Sequence, residues 1–160
     1  MQELLSRAER IGAILKQRKE TLAVAESSAG GLISASMLSV PGASAYFIGA
    51  SVTYTRQSMR GLLNMTDENF AGMRGLTEPT ALALARAVHR LLSPTWAISE
   101  MGAAGPTGSR YGDAPGKTAI AVVGPSERSI VIETGSADRV ANMRSFAAAA
   151  LDLFEQILKK

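Results

Sequence analysis

Two stretches of this 160-residue chain carry residue types that could do chemistry: Glu26-Ser27-Ser28-Ala29-Gly30-Gly31, and the glycine-rich run from 102 to 116. A strand ending at Ala25 and a helix starting near Ser28 would leave several backbone N–H groups unpaired at one point. Those groups, with the helix dipole, suit an anion or a developing oxyanion. Ser27 and Ser28 can cap the helix or face a ligand, and Gly30 and Gly31 clear space for close approach. The same residues also fit an ordinary helix start packed on a sheet, with Glu26 bonding N–H groups of the turn. Two glycines early in a helix cost about 1 kcal/mol each relative to alanine, a cost that implies a packing or functional reason. Gly102, Gly105, Gly108, Gly112 and Gly116, with Pro106 and Pro115, read as a loop.

Other chemistries are excluded or disfavoured by composition. The chain has no cysteine, hence no disulfide, thiolate ligand or cysteine nucleophile. With one histidine, a zinc site would need mostly carboxylate ligands, so no metal and no cofactor are expected. That histidine, His89, falls at the edge of an apolar helix face between Arg86 and Arg90 and reads as a boundary residue rather than a triad base. The net charge is +3 and the isoelectric point about 9.5, which favours an anionic ligand. The cationic residues are scattered and form no stripe, which argues against nucleic acid. No basic segment followed by an apolar run opens the chain, and no stretch approaches the roughly 20 apolar residues that span a bilayer. A cytoplasmic protein without a membrane segment is expected.

The elements that must position these residues follow from periodicity. Nearly half of the residues are apolar (46%) and 19% are charged, a balance that suits one compact domain over residues 1–160. Residues 3–19 read as an amphipathic helix, 21–25 as a buried strand, and 30–38 as the helix after the turn. Residues 46–55 read as a strand, 56–63 as a short helix, and 78–92 as the clearest helix, capped by Thr77 with Pro79 in its first turn. Strands at 95–100, 118–123 and 129–134 follow, the last two as an antiparallel hairpin, and a helix over 138–158 closes the chain. This order predicts an α/β fold, a mixed sheet of about five strands between helices.

The run Ala25-Glu26-Ser27-Ser28-Ala29-Gly30-Gly31 resembles the signature of the CinA C-terminal domain family. The resemblance continues through Val40-Pro41-Gly42-Ala43-Ser44-Ala45-Tyr46-Phe47, Gly49, Val52-Thr53-Tyr54, Leu76-Thr77-Glu78, Gly102-Ala103-Ala104-Gly105-Pro106, and Arg139 with Arg144. It implies a three-layer α/β/α fold and a metal-independent amidohydrolase that turns the carboxamide of nicotinamide mononucleotide into the acid and releases ammonia. It further implies that Ser27 is the nucleophile, that Ser44 and Tyr54 are site positions, that Gly102 and Gly105 belong to the ligand loop, and that Arg144 is a basic site position. Homo-oligomers are implied as well. Such a reaction needs a base for the serine and donors for the oxyanion. A phosphorylated substrate also needs arginine or backbone N–H groups.

The chain departs from the resemblance at chemical positions. The lysine implied five residues after Tyr54 is Met59, and the hydroxyl residue implied before Gly102 is Met101. The third signature position is Ala29. A thioether accepts no proton at neutral pH, and neighbouring Arg60 stays protonated. Lys117 stands where the resemblance implies glycine. It is either an exposed residue at a strand start or a group that enters the pocket to replace the base or bind an anion. Three functions follow as expectations: the amidohydrolase, a homologue that binds a phosphorylated ligand without amidase chemistry, and a nucleic-acid accessory protein.

Overall fold

Alternation along the strands splits the core into two unequal faces. A computed structural model describes residues 2–71 and 73–160. Its elements are α1 (Gln2–Arg18), β1 (Leu22–Glu26), α2 (Leu32–Leu38), a 3-10 turn at Ala43–Ala45, β2 (Phe47–Val52), α3 (Arg56–Leu63), α4 (Asp67–Ala71), α5 (Glu78–Leu92), β3 (Trp96–Ala103), β4 (Lys117–Val123), β5 (Arg128–Glu133) and α6 (Arg139–Leu158). The sheet order is β2-β1-β3-β4-β5. β1 pairs in parallel with both β2 and β3, whereas β3–β4 and β4–β5 are antiparallel. The mixed five-stranded sheet lies between α1, α2 and α6 on one face and α3, α4 and α5 on the other, the α/β/α sandwich expected from the sequence.

Successive strand residues point to opposite faces. Leu22, Val24, Trp96, Ile98, Ile120 and Val122 meet the helices α1, α2 and α6, where Trp96 packs edge-on against Phe154 at 5.7 Å between ring centroids. The opposite face is made of small residues: Ala23, Ala25, Ala97, Ala119 and Ala121. Their size lets α5 lie close on the sheet through Ala81, Leu84, Ala85 and Val88, and the buried Ser99 hydroxyl donates to the Ala81 carbonyl at 2.6 Å.

Several boundaries differ from the sequence reading by a few residues, and two of them shape the functional end. The helix after the turn begins at Leu32 instead of residue 30, because Gly30 and Gly31 sit at φ 68° and 97°, left-handed backbone that lies outside a helix, with Gly31 as its N-cap. The two glycines therefore serve the turn and impose no cost inside a helix. β3 runs on past residue 100 through Met101 and through Gly102 and Ala103, which the glycine content had assigned to the loop, because those residues still pair with Ala119, Thr118 and Lys117.

α1 and α6 are joined by charge as well as by packing. Arg10 grips Glu155 through two bonds of 2.7 and 2.8 Å, and Lys159 adds a third contact at 2.7 Å. The Arg10 hydrogen bonds, helped by Lys159, outweigh burial and hold the Glu155 carboxyl at about 2, below its ordinary 4.5. A carboxyl lowered on folding stabilises the fold fully above its unfolded value and loses that contribution as pH falls through the folded one. Glu155→Gln should cost about 1–2 kcal/mol at pH 7, since Arg10 and Lys159 are half exposed, and almost nothing at pH 2. Denaturant melts at the two pH values check this.

Candidate functional site

Three parallel strands end together, and their ends frame a cleft. The chain leaves β1 toward β2 on one side and reaches β3 on the other, so β1 is the point where strand order reverses. Open α/β sheets bind ligands in the crevice beyond the strand ends at such a point. Here a cleft of about 570 Å³ is lined by Ser27 after β1, Tyr54 after β2, and residues 101–105 at the end of β3. That volume suits a small-molecule ligand.

The turn that presents Ser27 is built on two buried carboxylates. Glu26 accepts from the backbone N–H groups of Gly31 (2.9 Å), Ile33 (3.1 Å) and Ser34 (2.8 Å), and from the Ser34 hydroxyl. Glu100, fully buried in β3, accepts from Ser27 N–H (3.2 Å), Ala29 N–H (2.8 Å), the Ser28 hydroxyl and the Thr118 hydroxyl (2.9 Å). Burial pushes the Glu100 carboxyl up, and these four donors draw it only part of the way back. Five of the turn's amides, those of Ser27, Ala29, Gly31, Ile33 and Ser34, are thus occupied by the protein's own carboxylates. The Ser27 side chain itself turns into the cleft, and its hydroxyl has no protein hydrogen-bond partner among the described residues.

The cleft's charge comes from elsewhere. Arg56, Arg110 and Arg139 line it, and no carboxylate, histidine or lysine is among its described lining residues. Arg139 donates to the Gly105 carbonyl at 2.8 Å and to the Tyr54 hydroxyl at 3.4 Å, tying α6 to the loop and to the end of β2. Arg110 lies over the Tyr111 ring and Arg56 over Phe70, at 5.0 and 5.3 Å. None of the three is ion-paired among the described residues. Their charge is therefore available to an anion.

The loop roof is pinned by Asp113 and Asn142. Asp113 accepts from Ser109 (2.7 Å), Leu76 N–H (3.2 Å) and Lys117 (2.8 Å). Burial alone would raise its carboxyl, but the bonds from Lys117, Ser109 and Leu76 outweigh it and hold the group below the usual carboxylate range. The buried Asn142 side chain donates to the carbonyls of Ala104 and Ser136, both at 2.8 Å.

Of the residues singled out in the sequence, Ser27, Tyr54, Met101, Gly102, Gly105 and Arg139 line the cleft. A side chain at Gly102 would run into Ser28, Phe146 and Thr118 at 2.6–2.8 Å, so glycine there lets β3 pass over the turn. The remaining residues lie outside. Ser28 faces Glu100 across the sheet, while Gly30 and Gly31 shape the turn against Met143 and Val52. Lys117 is committed to Asp113: Thr118 points to Glu100, so its neighbour must point to the α5 face. Ser44 sits exposed in the 3-10 turn before β2, at the opposite end of that six-residue strand and roughly 20 Å away at ~3.3 Å per residue. Arg144 is exposed on α6, five residues past Arg139 and so about 140° around the helix from it. Arg110 and Tyr111 belong to no motif; the one signal for them is an arginine and a tyrosine inside a glycine-rich run. Arg56, with Arg60 on the short helix 56–63, fits either an anion patch or a solvated helix face by sequence, and the cleft lies beside it.

The family model described as the CinA C-terminal domain matches residues 5–158. The chain belongs to the CinA C-terminal domain family. A CinA-like protein of Desulforapulum autotrophicum is 35% identical over 151 residues, covering 93% of this chain and 36% of the relative. A CinA-like protein of Trichormus variabilis is 33% identical over 151 residues, with 92% and 36% covered. The chain thus spans about a third of the length of these curated relatives. Among solved structures, a CinA superfamily protein from Klebsiella pneumoniae superposes with a TM-score of 0.90 at 21% identity over 98% of both chains. A competence/damage-inducible protein from Agrobacterium tumefaciens gives 0.89 at 23% identity over 99% of this chain and 96% of the other. These two share the fold.

In this CinA C-terminal domain the loop roof depends on one carboxylate. Asp113→Asn should speed hydrogen exchange at the Tyr111 and Asp113 amides, which rest on Ser109, by about tenfold while leaving β3 and β4 unchanged. In the natural chain the same protection should persist below the usual carboxylate range and fail as pH falls through the lowered Asp113 value. Exchange mass spectrometry at several pH values measures both.

Proposed function

We propose that the cleft binds a phosphorylated, nucleotide-like small molecule, and that this chain binds it without the serine amidase reaction that its resemblance implies. One observation carries the reading: three guanidinium groups with no carboxylate partner converge on a cleft that contains no proton acceptor for Ser27. Guanidinium is a fork-shaped phosphate ligand and never a base. Its concentration in a concavity, instead of along a ridge, favours a small ligand over nucleic acid.

The missing step is deprotonation. A serine hydroxyl attacks an amide only when a neighbouring group removes its proton. Tyr54 and Tyr111 also line the cleft, and neither is a carboxylate, imidazole or amine of the kind that activates a serine. Met59 and Met101 stand where the resemblance implies a lysine and a hydroxyl group, and neither sulfur can take a proton. The Ser27 and Ala29 amides, the nearest oxyanion donors, are already engaged with Glu100.

The amidohydrolase reading keeps one observation in its favour: the Ser27 hydroxyl is unengaged and faces the cleft. The two readings part in a single pair of measurements with nicotinamide mononucleotide, binding by calorimetry and ammonia release. Binding should be weakened at least tenfold by Arg139→Ala, with ammonia at the uncatalysed level. Met59→Lys with Met101→Thr should raise ammonia release by about 10²-fold or more. Rapid release by the natural chain, abolished by Ser27→Ala, would establish the amidohydrolase instead. Absence of binding to any phosphorylated probe would remove the proposal.

A further inference from the structure

A second recess, of about 40 Å³, opens beside the cleft. Three methionines from three different places supply most of its apolar lining: Met59 of α3, Met73 after α4, and Met101 of β3, beside Gly75 and Thr80. Met59 and Met73 are buried. Tyr54, Arg56, Arg110 and Tyr111 belong to both cavities and stand between them. A ligand whose phosphate is held by Arg56 and Arg110 therefore has its other end within reach of the thioethers.

The recess has room for two or three heavy atoms, enough for a methyl, an ethyl or a carboxamide. Polarity, more than size, decides among them. A thioether donates no hydrogen bond and accepts weakly. The hydroxyl of Thr80, also at the recess, is engaged with Thr77 at 3.0 Å. With Arg56 and Arg110 taken up by the phosphate, a carboxamide pushed between the sulfurs would give up its hydrogen bonds to water for those that Tyr54, Tyr111 and Thr80 leave over. An alkyl group or ring edge gains dispersion contact with polarisable sulfur, and flexible methionines adjust to its shape.

We infer that the methionine recess is a subsite for an apolar substituent of the phosphorylated ligand and selects against a carboxamide. The inference rests on the reading of the cleft as a phosphate site. It assigns the cleft a substrate class, an organic phosphate whose ring carries an alkyl group or hydrogen at the position facing Met59 and Met101.

Calorimetry on the natural chain with inorganic phosphate, 3-methylphenyl phosphate and 3-carbamoylphenyl phosphate tests it. The methyl compound should bind about tenfold more tightly than the carbamoyl compound and more tightly than inorganic phosphate. Met101→Thr, at a half-exposed position that tolerates a polar group, should narrow the preference to threefold or less, and Met59→Gln should do the same. Equal or tighter binding of the carbamoyl compound overturns the inference, as does an unchanged preference in a folded Met101→Thr variant. If inorganic phosphate binds but the aryl phosphates gain nothing over it, the subsite falls and the phosphate reading stands. If no phosphate binds at all, both fall together.

Discussion

The buried carboxylate of Glu100 is the interaction on which the functional end of this domain depends. An unpaired charge taken out of water costs several kcal/mol, so Glu100 is tolerable only with its partners in place. Those partners come from two segments: two amides and a hydroxyl from the turn after β1, and the Thr118 hydroxyl from β4. Satisfying one carboxylate fixes the turn against the middle of the sheet and sets the direction in which Ser27 leaves it. Glu26 performs the parallel task one step along, taking the N–H groups at the start of α2. Five backbone donors of the turn are spent on holding shape, and the unpaired charges on the cleft's walls are those of Arg56, Arg110 and Arg139.

This division explains why the fold was legible in the sequence and the site only in part. Strand and helix order follow from periodicity. Runs such as Leu22-Ala23-Val24-Ala25 and the apolar stripe of α5 can be buried in few ways, and the hairpin of β4 and β5 is announced by its turn residues. The site depends on parity and register, which a linear reading does not contain. Glu100 and Met101 are adjacent, yet one points to the α6 face and the other to the recess. Thr118 and Lys117 divide in the same way, and this sends Lys117 to Asp113 instead of into the cleft. Ser44 belongs to a motif that places it before β2, and only the direction of that strand reveals that its position is at the far end. Arg110 owes its place to a loop path held by Asp113 and Asn142, which no local pattern encodes.

The same geometry links two substitutions that look unrelated in the sequence. Residues 59 and 101 are far apart along the chain, and each is an ordinary apolar residue by itself. Folding brings both to one recess, so the lysine and hydroxyl that the family resemblance implies are replaced together by two thioethers, with that of Met73 beside them. Next to that apolar end stand unpaired guanidinium groups. The cleft thus combines unpaired guanidinium groups, an apolar recess nearby, and a serine hydroxyl without a base, the three features on which the proposed binding function rests.

The central claim is that internal carboxylates fill the turn's anion-binding capacity and that arginines receive the ligand. It is tested most directly by nuclear magnetic resonance during a titration with inorganic phosphate. The backbone amides of Ser27, Ala29, Gly31, Ile33 and Ser34 should hold their shifts throughout, while the side-chain N–H signals of Arg56, Arg110 and Arg139 move with saturation. Movement of the Ser27 and Ala29 amides with the arginine signals still would contradict the account, because it would mean that phosphate displaces Glu100 and the turn is the anion site.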